Sequence, residues 1–284
     1  MKINNFLLNP GLYIVSTPIG NLEDISSRAL KVLNESHAIF CEDTRRSLKL
    51  LNHYKINKSL YPCHKFNERK VSEKIIQTIK EGKIVSLISD AGTPSISDPG
   101  QIVVNSCLNN NIDVIPIPGP SAVNSAVSIS GFDEKYLFYG FLPKKKNEIN
   151  KVLQELSNLN FSIVFFAPTN SVNNYLSYFK KFFQERKILI AKEMTKKFES
   201  FYRGNIQDIK SFDNDVKGEF TIVISNRKVE KNNSKKIDES VKIKIKNLLK
   251  KYSTKDVVEI VSKTENLPKN AIYKTCLTII KKLK

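Results

Sequence analysis

The segment Ile84-Val85-Ser86-Leu87-Ile88-Ser89-Asp90-Ala91-Gly92-Thr93-Pro94-Ser95-Ile96-Ser97-Asp98-Pro99-Gly100 decides how the chain is to be read. Its opening, Ile84–Ser89, is a short apolar run and reads as a buried strand. Asp90 to Gly100 is the longest glycine- and proline-punctuated loop in the chain. A helical pattern at Ile102–Leu108 and a strand at Val114–Ile117 follow. Strand, loop, helix, strand is the order of a parallel α/β layer, in which ligands gather beyond the carboxyl ends of the strands.

The same alternation extends in both directions. Upstream, Leu12–Ser16 reads as a strand ending in Thr17-Pro18-Ile19-Gly20-Asn21, with a helical stripe over Glu23–Leu33. Ala38–Cys41 is a short strand leading into Glu42-Asp43-Thr44-Arg45-Arg46, and Glu68–Lys80 a helix closed by Gly82. Downstream, Val114–Ile117 enters Pro118-Gly119-Pro120 and a small-residue helix, Ser121–Ile129. A second set begins with a strand at Tyr136–Phe141, a basic turn at Pro143–Lys146 and a helix at Glu148–Leu159. It continues with a strand at Ser162–Phe166, a helix at Val172–Phe183 and a strand at Ile188–Ala191. An extended piece at Phe198–Tyr202, a short helix at Ile206–Phe212 and a strand at Phe220–Ile224 complete it. The expectation is an α/β protein of two lobes, 1–135 and 136–225, with mainly parallel sheets.

Residues 226–240 are polar and read as a linker to a basic helical module, 241–284. That module carries helical patterns at Val241–Tyr252, Asp256–Lys263 and Ala271–Lys281, with Thr254 or Ser253 as the cap of the middle one. It fits a small helix-turn-helix unit, and equally an arm that packs on the body.

Composition narrows the partners. The chain has 284 residues, 40% hydrophobic and 26% charged, a globular profile. No run of about 18 apolar residues occurs, so no membrane-spanning helix is expected. Met1–Pro10 lacks the apolar stretch of a secretory signal. The four cysteines form no CxxC pair and suit no zinc site, so metal binding is not expected and reduced thiols of a cytoplasmic protein are. Of the net charge of +18, residues 225–284 supply +11, from 17 Lys and Arg against 6 Asp and Glu. A polyanionic partner is the physical inference, although abundant Lys throughout the chain also inflates the sum.

Three strands end in loops of unusual make-up: Thr17–Asn21, Ser89–Gly100 and Pro118–Ala122. Glycine lets a ligand approach the backbone and proline fixes the chain. One such loop alone would read as a tight turn; three at strand ends favour a shared small-molecule site. No loop matches GxxxxGK[ST] or GxGxxG, which excludes Walker-type ATP hydrolysis and a nicotinamide fingerprint. Nor is there a nucleophile elbow. In Glu42–Arg46, an arginine suits a phosphate and an acid suits a proton, or the cluster simply caps a helix. Lys192-Glu193 forms a similar pair in the second lobe.

As strings, the loops go further. Tyr13–Leu22 with Arg28-Ala29-Leu30 resembles the opening of the ribosomal RNA small subunit methyltransferase I family, part of the tetrapyrrole methylase superfamily. Cys41–Arg45, Asn67-Glu68, Ser89–Gly100, Pro116–Ala122 and Gly140–Pro143 match in order. So do Lys192–Lys196, Gly218–Phe220 and, in the tail, Lys269–Lys274.

The resemblance implies a two-lobed class III methyltransferase fold with a small C-terminal helical module. It implies S-adenosylmethionine as methyl donor, no metal, and the ribose 2′-hydroxyl of a decoding-centre cytidine in 16S ribosomal RNA as acceptor. It also implies a homodimer acting on the small ribosomal subunit in the cytoplasm. Carried over by motif, the donor would lie against Pro18, Asp90, Gly92, Thr93, Pro94 and Ile96, with Ser121, Ala122 and Phe220. Asp43 or Glu193 would take the hydroxyl proton, with Arg45 on an RNA phosphate. RNA would be held by Arg45, Arg46, Lys144, Lys145, Lys146 and the tail.

One departure stands out. After the strand ending at Phe166 the family has a Glu-Ser-Pro-His-Arg type of sequence, where this chain has Ala167-Pro168-Thr169-Asn170-Ser171. Catalysis is therefore not assigned to that loop, although Phe166 and Ala167 are expected to line the donor through their backbone. The alternatives are a superfamily methylase acting on a corrin precursor or diphthine, and a metabolite-sensing helix-turn-helix nucleic-acid-binding protein. The basic tail and the Glu42–Arg45 string oppose the first; donor binding without turnover would favour the second.

Overall fold

A computed structural model describes residues 8–213, 215–227, 237–265 and 267–283. Residues up to Arg227 form one compact unit and those from Lys228 onward another. The expected linker, 226–240, falls largely on residues 228–236, outside the described residues.

The first unit contains two five-stranded sheets. The first sheet is built from β1 (Gly11–Val15), β2 (Ala38–Cys41), β3 (Ser59–Pro62), β4 (Ile84–Ile88) and β5 (Val114–Ile117). Its order is β3-β2-β4-β1-β5, and every pairing is parallel. Successive side chains on a strand face opposite ways, so a sheet buried on both faces needs apolar residues at every position. Leu12, Phe40, Val85 and Leu87 meet Ile75 and Ile79 of α3 (Glu68–Lys80) and Val103 and Cys107 of α4 (Gln101–Asn109). Tyr13, Val15, Ile39 and Ile88 face the other way. They meet Ala29, Val32 and Leu33 of α1 (Ser27–Glu35) and Leu51 of α2 (Thr44–His53).

The second sheet uses β6 (Tyr136–Phe141), β7 (Ser162–Ala167), β8 (Lys187–Lys192), β9 (Ser200–Asn205) and β10 (Phe220–Ile224), in the order β6-β7-β10-β8-β9. Here the expectation of mainly parallel sheets fails. Only β6 and β7 form a parallel pair; β10 pairs antiparallel with both β7 and β8, and β9 with β8. The physical reason is the connections: among the described residues, no helix crosses over between β8 and β9 or between β9 and β10, apart from one 3-10 turn at Ile206–Asp208. That turn is all that forms of the short helix expected at Ile206–Phe212.

One face of this sheet is covered by α6 (Lys146–Ser157) and α7 (Val172–Phe182), through Leu153, Leu176 and Phe179. The opposite face, with Val164, Leu189 and Val223, is covered by Val123 and Ala126 of α5 (Ala122–Ser128) and by Ile19 of the first lobe. The small-residue helix is therefore the joint between the lobes.

Other local differences have plain causes. The stripe over Glu23–Leu33 splits into a 3-10 turn at Leu22–Asp24 and α1, because Ser26 caps the Ala29 N–H with an extended backbone. Helix α2 and strand β3 follow Asp43, whose carboxylate caps α2.

In the second unit, α8 (Glu239–Leu248), α9 (Thr254–Glu265) and α10 (Lys269–Leu283) enclose a core of their own, including Ile245, Val257, Val261 and Ile272. Ser253, not Thr254, caps α9: its hydroxyl accepts from the Asp256 N–H at 3.3 Å and donates to the Asp256 carboxylate at 2.6 Å. Among the described residues, no helix is long and apolar enough to cross a membrane.

Glu68 begins α3 and is 6% exposed; its Oε2 accepts from the Gly100 and Ile102 N–H groups at 3.0 and 3.1 Å. It thereby fixes the end of the Ser89–Gly100 loop. Glu68→Ala leaves one buried and one partly buried N–H group unpaired and should cost about 2 kcal/mol in chemical denaturation, with Glu68→Gln costing less.

Candidate active site

The order β4-β1-β5 sets the carboxyl ends of three strands side by side, and these carry the three unusual loops. Thr17 and Gly92 form a backbone bridge, with N–H···O distances of 2.9 and 3.0 Å. The Ser16 and Thr93 hydroxyls meet at 2.9 Å, and Thr17 Oγ1 donates to the Ser89 carbonyl at 3.1 Å. Gly92 has φ +81°, and a Cβ there would lie 3.5 Å from Ile19. Its backbone presents a bare wall in a conformation that other residues resist.

These loops and the strand ends of the second sheet enclose a cavity of about 490 Å³. From the first lobe come Ile19, the 91–93 and 96–98 segments, and Ser121–Val123. From the second come Phe141, the Phe166–Thr169 turn and Gly218–Thr221. The β7–β10 register pairs Phe220 with Ala167, which brings those two turns together, and Thr169 Oγ1 donates to the Gly218 carbonyl. Left-handed backbone at residues other than glycine is uncommon and gathers at functional loops. Ser95, Ser97, Glu193 and Thr195 all adopt it, in the loops after β4 and β8.

Of the residues expected against the donor, Gly92, Thr93, Ile96, Ser121, Ala122 and Phe220 line this cavity. Pro18 and Asp90 line a neighbouring recess instead, and Pro94 is buried in the loop. Phe166 and Ala167 also line it, as do Phe141, Pro168 and Thr169, which were not foreseen.

The proton acceptors read from the sequence sit elsewhere. Asp43 accepts from the Arg45 guanidinium at 2.7 and 3.1 Å and from the Arg45 N–H at 2.9 Å. Those bonds hold its carboxyl well below the usual range and tie Arg45 down. Glu193 Oε1 accepts from the Glu219 N–H at 2.8 Å and from Lys196 Nζ at 3.0 Å. Burial pushes its carboxyl up, but these donors outweigh it and the net direction is down. Neither Asp43 nor Glu193 lines the cavity.

Asp98 does line it, and the sequence reading passed it over. Burial pushes its carboxyl up to about 6, assisted by the nearby charges of Glu42 and Asp90 and opposed by a Ser89 hydrogen bond. Glu42 is raised too, by burial first and Asp90 second. Asp90 itself accepts from the Asp43 N–H at 3.2 Å and pairs with Arg46 at 3.2 Å. A carboxyl displaced toward neutrality beside a cavity makes Asp98 a candidate for chemistry. Among the described residues, no group of three or more His, Cys, Asp or Glu is placed to hold a metal ion.

The cationic candidates are spread out. Arg45 and Arg46 lie on α2, 87% and 69% exposed. Lys144, Lys145 and Lys146 are exposed where β6 turns into α6, three to five residues beyond Phe141 of the cavity wall.

A carboxyl raised on folding binds more protons folded than unfolded, so stability falls as pH climbs from about 4 through about 6. Asp98→Asn should therefore raise stability at pH 8 by about 1–2 kcal/mol, discounted for the solvent reaching it. The gain should vanish near pH 4. Thermal melts of both proteins at the two pH values read this directly.

Comparison with known proteins accords with this geometry. Residues 11–210 match the tetrapyrrole (corrin/porphyrin) methylase family. A protein of Thermotoga maritima, ribosomal RNA small subunit methyltransferase I, is 44% identical over 76% of this chain and 98% of its own length. One of the same name from Neisseria meningitidis serogroup B is 33% identical over 98% of this chain and 96% of its own. The crystal structure of diphthine synthase superposes with a TM-score of 0.60 at 14% identity, covering 75% of this chain and 89% of that one, which speaks for the fold alone. With the family's loops at adjacent strand ends and relatives matched nearly end to end, the chain belongs to the ribosomal RNA small subunit methyltransferase I family of tetrapyrrole methylases.

Proposed function

We propose that this methyltransferase methylates the ribose 2′-hydroxyl of a decoding-centre cytidine in 16S ribosomal RNA of the small subunit, as a cytoplasmic homodimer. The observation that carries the reading is the cavity itself: one partly buried carboxylate, Asp98, among mostly apolar walls from two lobes. The names of the relatives supply the RNA. They also weigh against a corrin or diphthine substrate.

S-adenosylmethionine, the donor the family implies, supplies when bound a methyl group already activated on a cationic sulfonium. The residues fit it. Phe220, Ile96 and Ala122 offer apolar surface to a nucleoside, the Gly92 backbone admits close approach, and Asp98 complements a positive charge. What remains for the chain is to align the acceptor and take one proton. Asp98 is the better proton acceptor than Asp43 or Glu193. Its carboxyl titrates near 6, close to working pH, whereas theirs are held down by partners. Asp90, oriented by Arg46 and the Asp43 N–H, adds negative charge beside it.

RNA affinity would come from Arg45, Arg46 and Lys144–Lys146, with the second unit adding phosphate contacts through its lysines. Its separate core and exposed Lys250, Lys251 and Lys255 suit a small nucleic-acid-binding module.

The deciding experiment is transfer from labelled S-adenosylmethionine to purified small subunits and to free ribosomal RNA, with nucleoside analysis. The expected product is 2′-O-methylcytidine; another nucleoside or no product would overturn the reading. The rate at saturating substrate should rise with pH up to about 6 and then level off, and Asp98→Asn should lose it about 10²-fold or more. Replacing Lys250, Lys251 and Lys255 by Gln should lower the slope of log affinity against log salt by about 2. An unchanged slope would leave that unit out of RNA binding.

A further inference from the structure

Beside the cavity lies a second recess of about 290 Å³. Ile19, Ala91 and Glu219 stand in the walls of both. The Thr17–Gly20 turn forms one side of it, and Leu22 and Leu50 add apolar surface. Its lining holds three cations against two carboxylates, Asp90 and Glu219, and the cations are committed differently. Lys196 is engaged by Glu193 and Glu219, each at 3.0 Å. Arg46 reaches Asp90 with one guanidinium nitrogen and is otherwise in solvent. Lys49 is exposed and, among the described residues, has no ion pair. Arg46, Lys49 and Leu50 lie three and four residues apart on α2 and so share one face of it.

A methyl acceptor must approach to roughly 3–3.5 Å of the group it attacks. The acceptor pocket therefore has to share a wall with the donor cavity, and this recess does. Apolar sides with an excess of cations, Arg46 and Lys49 being exposed, suit one nucleotide: a ring against leucine, phosphates on Arg46 and Lys49. The space is smaller than the donor cavity and too small for a helical segment, so the nucleotide must leave its stack to enter. We propose that the recess receives the acceptor nucleotide singly, its ribose toward Ile19 and Ala91 and its phosphates on Arg46 and Lys49. The assignment rests on the RNA methyl transfer proposed above.

Two variants test it. Lys49→Glu changes an exposed side chain and should raise the KM for small subunits about 10-fold while cofactor affinity, read by calorimetry without RNA, stays within twofold. Leu50→Trp fills the recess and should lower kcat at least 100-fold, again with cofactor affinity kept and with small-subunit binding retained. Melting temperatures show whether Leu50→Trp is folded; if it is not, Lys49→Glu decides alone. Parent activity with both folded variants at the parent kcat and KM would overturn the recess assignment and leave the RNA reading standing. Weaker cofactor affinity in Lys49→Glu would also overturn it, by making this surface part of the donor site. Absence of transfer by the parent protein to any small-subunit RNA would overturn the RNA reading, and this one with it.

Discussion

Two backbone hydrogen bonds between Thr17 and Gly92 hold the functional end of the molecule together. They bridge the loops that leave β1 and β4, adjacent strands whose chains then depart to opposite faces of the sheet. Chains that part in this way leave a crevice between them. The bridge sets its width, the Ser16–Thr93 contact braces it, and Glu68 pins the far end of the longer loop. Asp98 sits within that pinned stretch. Its displaced titration thus depends on the loop's shape, because the same fastening that orders the loop keeps the carboxyl near Glu42 and Asp90.

The second constraint is the joint between the lobes. Helix α5 begins at the last of the three loops and lies on the second sheet with Val123 and Ala126 buried. Small side chains allow a helix to approach a sheet closely. A second contact completes the joint: the Asn21 N–H donates to Thr195 Oγ1 at 3.0 Å, and a Cβ on Gly20 would fall 2.5 Å from Lys196 Cγ. The lobes are therefore fixed on both sides of the cavity, by an apolar seam and by a tight polar contact. Positioning, the main task left to the chain, is met by rigidity of this kind.

Much of the first lobe was legible because its signals are local. Apolar runs flanked by glycine and proline announce strands and loops, and the loops that line the cavity follow from their place at strand ends. The second lobe was less legible. Phe220 entered through a motif, but Pro168 and Thr169 reach the cavity through the antiparallel register of β7 and β10, and Phe141 through the parallel pairing of β6 with β7, which no periodicity reveals. The surroundings of the acidic residues were hidden for a related reason. Asp43 and Glu193 stand in conspicuous motifs, yet one caps a helix and the other receives a backbone N–H and a lysine. Asp98 was in plain view in the quoted loop, but its distinguishing property comes from burial near residues 42 and 90, a tertiary fact.

The place of β10 has a bearing on how the chain is made. The first sheet is complete once Ile117 has been synthesised, since all five of its strands precede that point. In the second, the central strand is the last in sequence, Phe220–Ile224. Until it emerges, β7 and β8 lack the strand that pairs with both in the finished sheet. Chains emerge from the N-terminus first, and unpaired edges invite wrong partners. The nascent protein thus carries a finished lobe beside an unfinished one for about a hundred residues of synthesis, and a single five-residue insertion then closes the sheet.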